Sequence, residues 1–311
     1  MRLGAITLRQ MRAVAAVAEH GSLTAAGAAL GLTTPAIYTQ IRTLEDIVGA
    51  TLVRRANDQS GSVLTESGAV MLDAVHRMEA TLSQAADEIT AISRGLTGRV
   101  ALGVVSTGKY FAPRLVRRLQ LLCPEIEVVL KVGNREFIID ELERHGVDLA
   151  VMGRPPRDPP VVAEPLGVHP HGLVAAPDHP LASGRKVTAN DLISETILSR
   201  EEGSGTRILM GRYLDRIGEG RIFDFMVMDS NETIKQAAMA GLGIAFLSLH
   251  TVTDELATGR LALIRAEGLP VLRHWFLVRP SAEPERPATA RVHRTILGLE
   301  GKFLPDMTGH L

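Results

Sequence analysis

Residues 22–48, SLTAAGAALGLTTPAIYTQIRTLEDIV, read as two short helices joined by a tight turn. Ser22 offers a hydroxyl that accepts from a first-turn N–H, and Leu23, Ala26 and Leu30 then share one face. Gly31 supplies the turn. Thr33 or Thr34 caps the second helix, Pro35 is tolerated in a first turn whose N–H groups lack partners, and Ile37, Ile41, Leu44 and Val48 form a buried stripe. Thr34, Pro35, Tyr38, Thr39 and Arg42 are left outside, with Thr24 on the preceding helix. Hydroxyls, a phenol and a guanidinium suit a DNA major groove, although the same spacing also fits an ordinary helical hairpin.

The flanks favour DNA. Residues 7–19 form another helix with Leu8, Met11, Val14 and Ala18 inside, and residues 52–64 form a hairpin with adjacent Arg54 and Arg55 and a polar tip over 57–61. Together with Leu52-Val53-Arg54-Arg55 and Leu64-Thr65-Glu66-Ser67-Gly68, these helices resemble the winged helix-turn-helix of LysR-type transcriptional regulators across more than sixty residues. Thr33-Thr34 stands where that family usually has Ser-Gln, Tyr38 where it often has Ser, and Val53 where it usually has Phe. The resemblance implies a DNA-binding regulator whose Arg54 and Arg55 hold backbone phosphates.

A chain of 311 residues with 45% hydrophobic content supports two or three packed units. It has no apolar run long enough to span a membrane and no basic-then-apolar leader, so the expected location is the cytoplasm. A single cysteine, Cys123, excludes an intramolecular disulfide, and its place before Pro124 on an apolar helix favours a structural thiol over a redox sensor. Net charge is −1, and six arginines outnumber four acids among residues 1–64. So small a surplus binds DNA poorly in one copy, and affinity must come from joining several.

The joining device follows. Met71, Val75, Met78, Leu82, Ala85, Ile89, Ile92 and Leu96 recur in steps of four and three, a coiled-coil seam. Polar flanks favour dimerisation through it over packing within the chain, and a dimer spaces two heads, so the DNA site should hold two related half-sites. After residues 95–98 the pattern becomes apolar strands alternating with helices, which predicts a parallel α/β sheet. Strands are expected at 100–105, 126–132, 149–152, 173–176, 196–199, 223–228, 244–247, 261–264 and 275–278. This half resembles the two-lobed, periplasmic-binding-protein-like effector domain of the same family. The whole chain is thus expected to be α/β, with a winged helix-turn-helix over 1–65, a dimerising linker helix over 66–98 and an effector domain over 99–311. Lobe I would span about 100–164 and 272–299 and lobe II about 166–271, with two crossings between them.

Two turns offer anion chemistry. Ser106-Thr107-Gly108-Lys109 follows a strand and precedes a helix, as does Gly203-Ser204-Gly205-Thr206, where backbone N–H groups at a helix start favour negative charge. Asn134, Arg135, Arg154 and Arg200 lie near strand ends, where open α/β sheets bind ligands, and Asn231 and Thr233 open another helix that can face the same cleft. In the family the first-strand hydroxyl loop and the second-lobe turn commonly contact effector. Residues 103–109 match a phosphate-binding Walker spacing, but Tyr110 replaces the metal-binding hydroxyl and 103–105 reads as strand. His169, His171 and His179 are interrupted by Pro170 and Pro180 and read as turn or surface histidines, not a metal site. No nucleophile, base and orienter set emerges, so no enzyme and no cofactor is expected.

Within the family the head and residues 201–207 most resemble the CbbR subfamily, regulators of carbon-fixation operons, which implies phosphorylated sugars or related metabolites as effectors. The expected partners are double-stranded DNA, a second copy assembling to a tetramer, and RNA polymerase. The rival readings are a LysR-type regulator of amino-acid, aromatic or sulfur metabolism, and a solute-binding protein or enzyme with an appended helical head.

Overall fold

The computed structural model describes residues 3–56, 61–94, 97–281 and 284–307, and the chain divides into two compact units, Met1–Ala86 and Asp87–Leu311. In the first, α1 (Leu8–His20) starts from a Thr7 and Gln10 capping box and stops at Gly21 in the left-handed region. Ser22 Oγ accepts from the Ala25 N–H to start α2 (Leu23–Leu30), which Gly31 ends at φ 64°. Thr33 caps α3 (Thr34–Val48), with Pro35 in its first turn. Strands β1 (Val53–Arg55) and β2 (Ser62–Leu64) pair antiparallel as the wing. Its tip at 57–60 lies outside the described residues. Met11, Val14, Val17, Ala26, Ile37, Ile41, Leu44 and Leu52 form the core.

Helix α4 (Glu66–Arg94) begins at Thr65, whose Oγ1 accepts from the Gly68 N–H. Its seam divides. Val75 is 1% exposed in the core just described, with Met71, Ala74 and Met78 packed beside it. These positions, expected to face a second copy, therefore serve their own head; Ala74 widens the stripe beyond a two-position seam. Farther along, Leu82 is 42% and Ile89 68% exposed, and Ala85 is exposed too. The side chain of Ile92, and Leu96, lie outside the described residues.

The second unit carries, in order, β3 (Gly98–Val105), α5 (Ala112–Leu122), β4 (Ile126–Gly133), α6 (Arg135–Glu143), β5 (Leu149–Met152) and β6 (Val161–Ala175). It continues with α7 (Ala189–Ile193), β7 (Thr196–Arg200), α8 (Gly205–Gly218), β8 (Asp224–Met228), α9 (Asn231–Met239) and β9 (Ile244–Ser248). Last come α10 (Thr253–Ala257), β10 (Ala262–Ile264), β11 (Val271–Pro280) and α11 (Pro287–Gly298). The strands lie in the order β4-β3-β5-β11-β6-β9-β7-β8, with β10 beside β6.

The sheet is mixed, not parallel as the alternation predicted. β3 runs parallel to β4 and β5, and β7 to β8 and β9, but β6 and β11 are antiparallel to each other and to their outer neighbours. These two strands are the crossings between lobes. β6 is far longer than the strand expected at 173–176, because its prolines sit where they cost the ladder little. The register slips between Trp275 and Phe276 opposite Gly167 and Pro165, and Pro170 precedes the pairing with β9 that begins at His171.

Lobe I packs Val100, Leu102, Leu115, Ile138, Leu149, Trp275 and Val292 into one core, which also takes in Leu166 and Phe303 beyond the expected bounds. Lobe II buries Leu173, Tyr213 and Phe246 on one face of its sheet and Ile234, Leu247 and Leu249 on the other, where Met307 joins them. Cys123 is a buried thiol in the first of these cores, 3.4 Å from the Thr295 hydroxyl. No described helix is long and apolar enough to cross a membrane.

Candidate DNA-reading face and anion cavity

Helix α3 buries Ile37, Ile41 and Leu44 and so turns Pro35, Tyr38, Thr39 and Arg42 to solvent. The Arg42 Nε donates to the Tyr38 hydroxyl at 3.1 Å, its guanidinium lies 5.7 Å from the Tyr38 ring centre, and Nη1 donates to Glu45 Oε2 at 3.1 Å. The Tyr38 hydrogen bond and then the Glu45 carboxylate hold the Arg42 pKa above its ordinary value. Thr39 Oγ1 donates to the Pro35 carbonyl at 2.9 Å, and the Thr34 and Thr24 hydroxyls meet at 3.5 Å, joining the amino ends of α3 and α2. Arg54 and Arg55 are exposed on β1.

Glu45 is the residue of this face that sequence reasoning missed. It is buried, and its Oε1 accepts from the backbone N–H groups of Leu52 at 2.7 Å and Val53 at 3.2 Å. One carboxylate thus ties α3 to the wing strand and holds Arg42. Its signal in sequence was an acid beside Leu44, on the buried side of the helix.

In the second unit a cavity of about 610 Å3, counted out to its open mouth, lies where strands of both lobes end. Ser106 and Thr107 enter from the end of β3, Arg135 from the start of α6, Gly153 and Arg154 from the turn after β5, and Ser204, Gly205 and Thr206 from the start of α8. Sequence reasoning missed Arg212, about two turns into α8, and His169, His171 and Arg273, which reach the cavity from the crossing strands. Their membership depends on pairing between distant strands: His169 stands opposite Arg273, and alternate residues of β6 and β11 share that face.

Among the described residues, four arginines line this cavity and no carboxylate does. Burial first, then the charges of Arg154 and Arg212, hold the Arg135 pKa below its ordinary value; burial, Arg212, Arg157 and Arg273 do the same for Arg154. Arg135 Nε is buried without a hydrogen-bond partner. Ser204, at the N-cap of α8, makes no side-chain capping bond, so hydroxyl and helix start both face the cavity unspent. The arrangement suits an anion.

The other expected effector residues build a polar seam between the lobes beside the cavity. Buried Arg200 donates to Ser106 Oγ at 3.2 Å, to Asn231 Oδ1 at 2.7 Å and to both oxygens of Glu201. Asn134 caps α6 and reaches Glu201 at 3.4 Å, and Lys109 pairs with Glu232, which also accepts from the Tyr110 hydroxyl. Gly203 sits against Glu136, Gly108 packs on Val104 and Phe111, and Thr233 bonds Ser230. Among the described residues of this seam only Ser106 also lines the cavity.

Of the three histidines expected at turns or on the surface, His179 does open a short turn, and the other two are a correction. His169 and His171 are buried on β6, near His250 and Trp275. Burial drives the His169 pKa well below its ordinary value, that of His171 down to about 3 and that of His250 to about 4. His179 is half-buried, accepting from the Leu181 N–H with Glu195 3.3 Å away.

Comparison with known proteins gives the family. Residues 8–69 match the family described as bacterial regulatory helix-turn-helix protein, lysR family, and residues 93–299 match the LysR substrate binding domain. The chain is 56% identical to the HTH-type transcriptional regulator CbbR of Cereibacter sphaeroides, with 98% of each chain covered. It also resembles the regulatory domain of Synechocystis PCC6803 CcmR, solved in complex with 2-PG, at 32% identity and a TM-score of 0.59, covering 67% of this chain and 98% of that one. Full-length CbnR, solved with its target DNA, shares the fold at 21% identity and a TM-score of 0.70, covering 94% of this chain and 99% of that one.

Proposed function

The chain belongs to the LysR family of bacterial transcriptional regulators, and from that premise we propose that it controls carbon-fixation genes in response to a small phosphorylated anion held in the arginine-lined cavity. It is a DNA-binding regulator and not an enzyme. The observation that carries the effector class is the charge of the cavity lining: Arg135, Arg154, Arg212 and Arg273 converge with hydroxyls and a helix start, and none of the described lining residues is acidic. An amino-acid effector would bring an ammonium into this cluster of arginines, and the described lining residues offer it no acidic partner. The 2-PG complex of CcmR and the CbbR name of the 56% identical relative point the same way.

Thr34, Pro35, Tyr38, Thr39 and Arg42 read the major groove, with Thr24, Arg54 and Arg55 on backbone phosphates. The regulator acts in the cytoplasm as a homo-oligomer on paired half-sites, with RNA polymerase as a further partner. Exposed Leu82, Ala85 and Ile89 support pairing through α4, and exposed Phe225, Met226 and Val227 on the edge strand β8 support a second contact that makes a tetramer. The effector switches the protein only through a difference in affinity between two lobe arrangements.

The test is a salt-dependent titration on DNA from upstream of its own gene, with and without 2-phosphoglycolate and ribulose bisphosphate. Selective binding altered by a phosphorylated metabolite is expected. Selective binding indifferent to every such compound would discard the effector class and keep the regulator.

A further inference from the structure

We propose that His169 is an effector contact on the floor of the cavity, donating from Nδ1 to an oxyanion oxygen of the ligand, with its tautomer set by Ser248. This rests on the reading of the cavity as the effector site. His169 is 3% exposed and lines the cavity beside Gly153 and opposite Arg273. Its ring is pinned between Trp275, whose ring centre is 3.8 Å away at an interplanar angle of 14°, and His171 at 4.1 Å. Nε2 meets the Ser248 hydroxyl at 2.8 Å, and Nδ1 is buried with no partner.

An unpaired nitrogen held rigidly in a buried place carries a desolvation cost that a ligand can recover. The space beside Nδ1 is there because residue 153 is glycine: a Cβ on Gly153 would stand 2.8 Å from that atom. With the serine hydroxyl donating into Nε2, the proton of the neutral ring resides on Nδ1 and points into this gap. Arg135, Arg154, Arg212 and Arg273 around it draw in an oxyanion, so the acceptor that arrives is an anionic oxygen. Arg135 Nε, likewise buried and unpaired, is a second donor awaiting the same ligand.

Calorimetric titration of the full chain with 2-phosphoglycolate, and with inorganic phosphate as a second probe, separates the possibilities. His169→Asn keeps a donor near the Nδ1 position and loses the reach to Ser248. His169→Gln keeps that reach and loses the donor. The expected result is roughly 10- to 100-fold weaker binding for H169Q, the loss of one hydrogen bond to a charged acceptor, with H169N within several-fold of wild type. Equal losses in both variants with matching falls in melting temperature would make His169 a packing residue and overturn the proposal. So would unchanged affinity in H169Q while Arg135→Gln loses binding, and in that case the cavity remains the effector site. Absence of binding to both probes by wild type removes the cavity reading and this contact together.

Discussion

Glu45 Oε1 accepts the backbone N–H of Leu52 at 2.7 Å, seven residues farther along the chain, and so fixes where the wing leaves α3. The same carboxylate takes Val53 N–H at 3.2 Å and, through Oε2, Arg42. Replacing Glu45 with Ala leaves two inward-facing N–H groups unpaired, at a cost of about 2–3 kcal/mol in urea unfolding of the full chain. DNA affinity should fall further than the missing charge alone dictates, because Arg42 and Arg54 lose a common reference. A Glu45→Ala protein as stable and as tightly bound as wild type would show that the wing is positioned some other way.

The division of α4 separates two kinds of leucine-like position. Val75→Ala removes methyls from a packed core and should cost about 2 kcal/mol of stability at any protein concentration. Leu82→Lys with Ile89→Lys touches no core of the chain itself, since those side chains are 42% and 68% exposed. This double variant should keep its fold at high dilution and sediment as a smaller species than wild type. Identical sedimentation of the two proteins would exclude α4 as the pairing surface.

The head was readable because its instructions are local. Ser22, Gly31 and Thr33 start and stop helices through atoms three or four residues away, and the structure puts each in that role. In the second unit the turns that open helices were equally plain, and Ser106, Thr107, Ser204 and Thr206 do reach the cavity. His169 and Arg273 were not readable, because they meet across strands about a hundred residues apart and Pro165 and Pro170 disguised β6 as a loop. The first part of the seam on α4, Met71, Val75 and Met78, misled for another reason: a repeat of four and three packs equally well on a neighbouring chain or on its own head.

Acid should loosen the second unit. In the unfolded chain imidazoles titrate near ~6.5. Burial holds His171 down to about 3 and His250 to about 4. Between those values the unfolded chain carries more protons, so stability present at neutral pH is lost as the pH falls from about 6.5 toward 4. His250 alone contributes on the order of 3 kcal/mol to that slope. His250→Asn keeps an acceptor for the Trp275 N–H, which His250 Nδ1 receives at 3.0 Å, and removes the titration. Urea midpoints between pH 7 and pH 4.5 should fall less steeply in this variant. Parallel slopes for the two proteins would mean that His250 is not the group being protonated.

Arg154 should oppose function to stability. Its guanidinium is partly withdrawn from water and faces Arg212, Arg157 and Arg273, each of which disfavours its charge. Without a bound anion such a cluster is a repulsion that no acid among the described lining residues relieves. Arg154→Met keeps the apolar stem and removes one charge, so the unliganded variant should be more stable by about 0.5–1 kcal/mol, the usual gain when a functional site is relaxed. The same change removes a charge-assisted contact to the effector and should weaken 2-phosphoglycolate binding by roughly tenfold or more. Added sodium chloride separates this from a packing effect: screening should stabilise wild type more than the variant and narrow the gap between them. A variant that melts below wild type and binds the anion as tightly would show that the arginines are spaced for some purpose other than holding it.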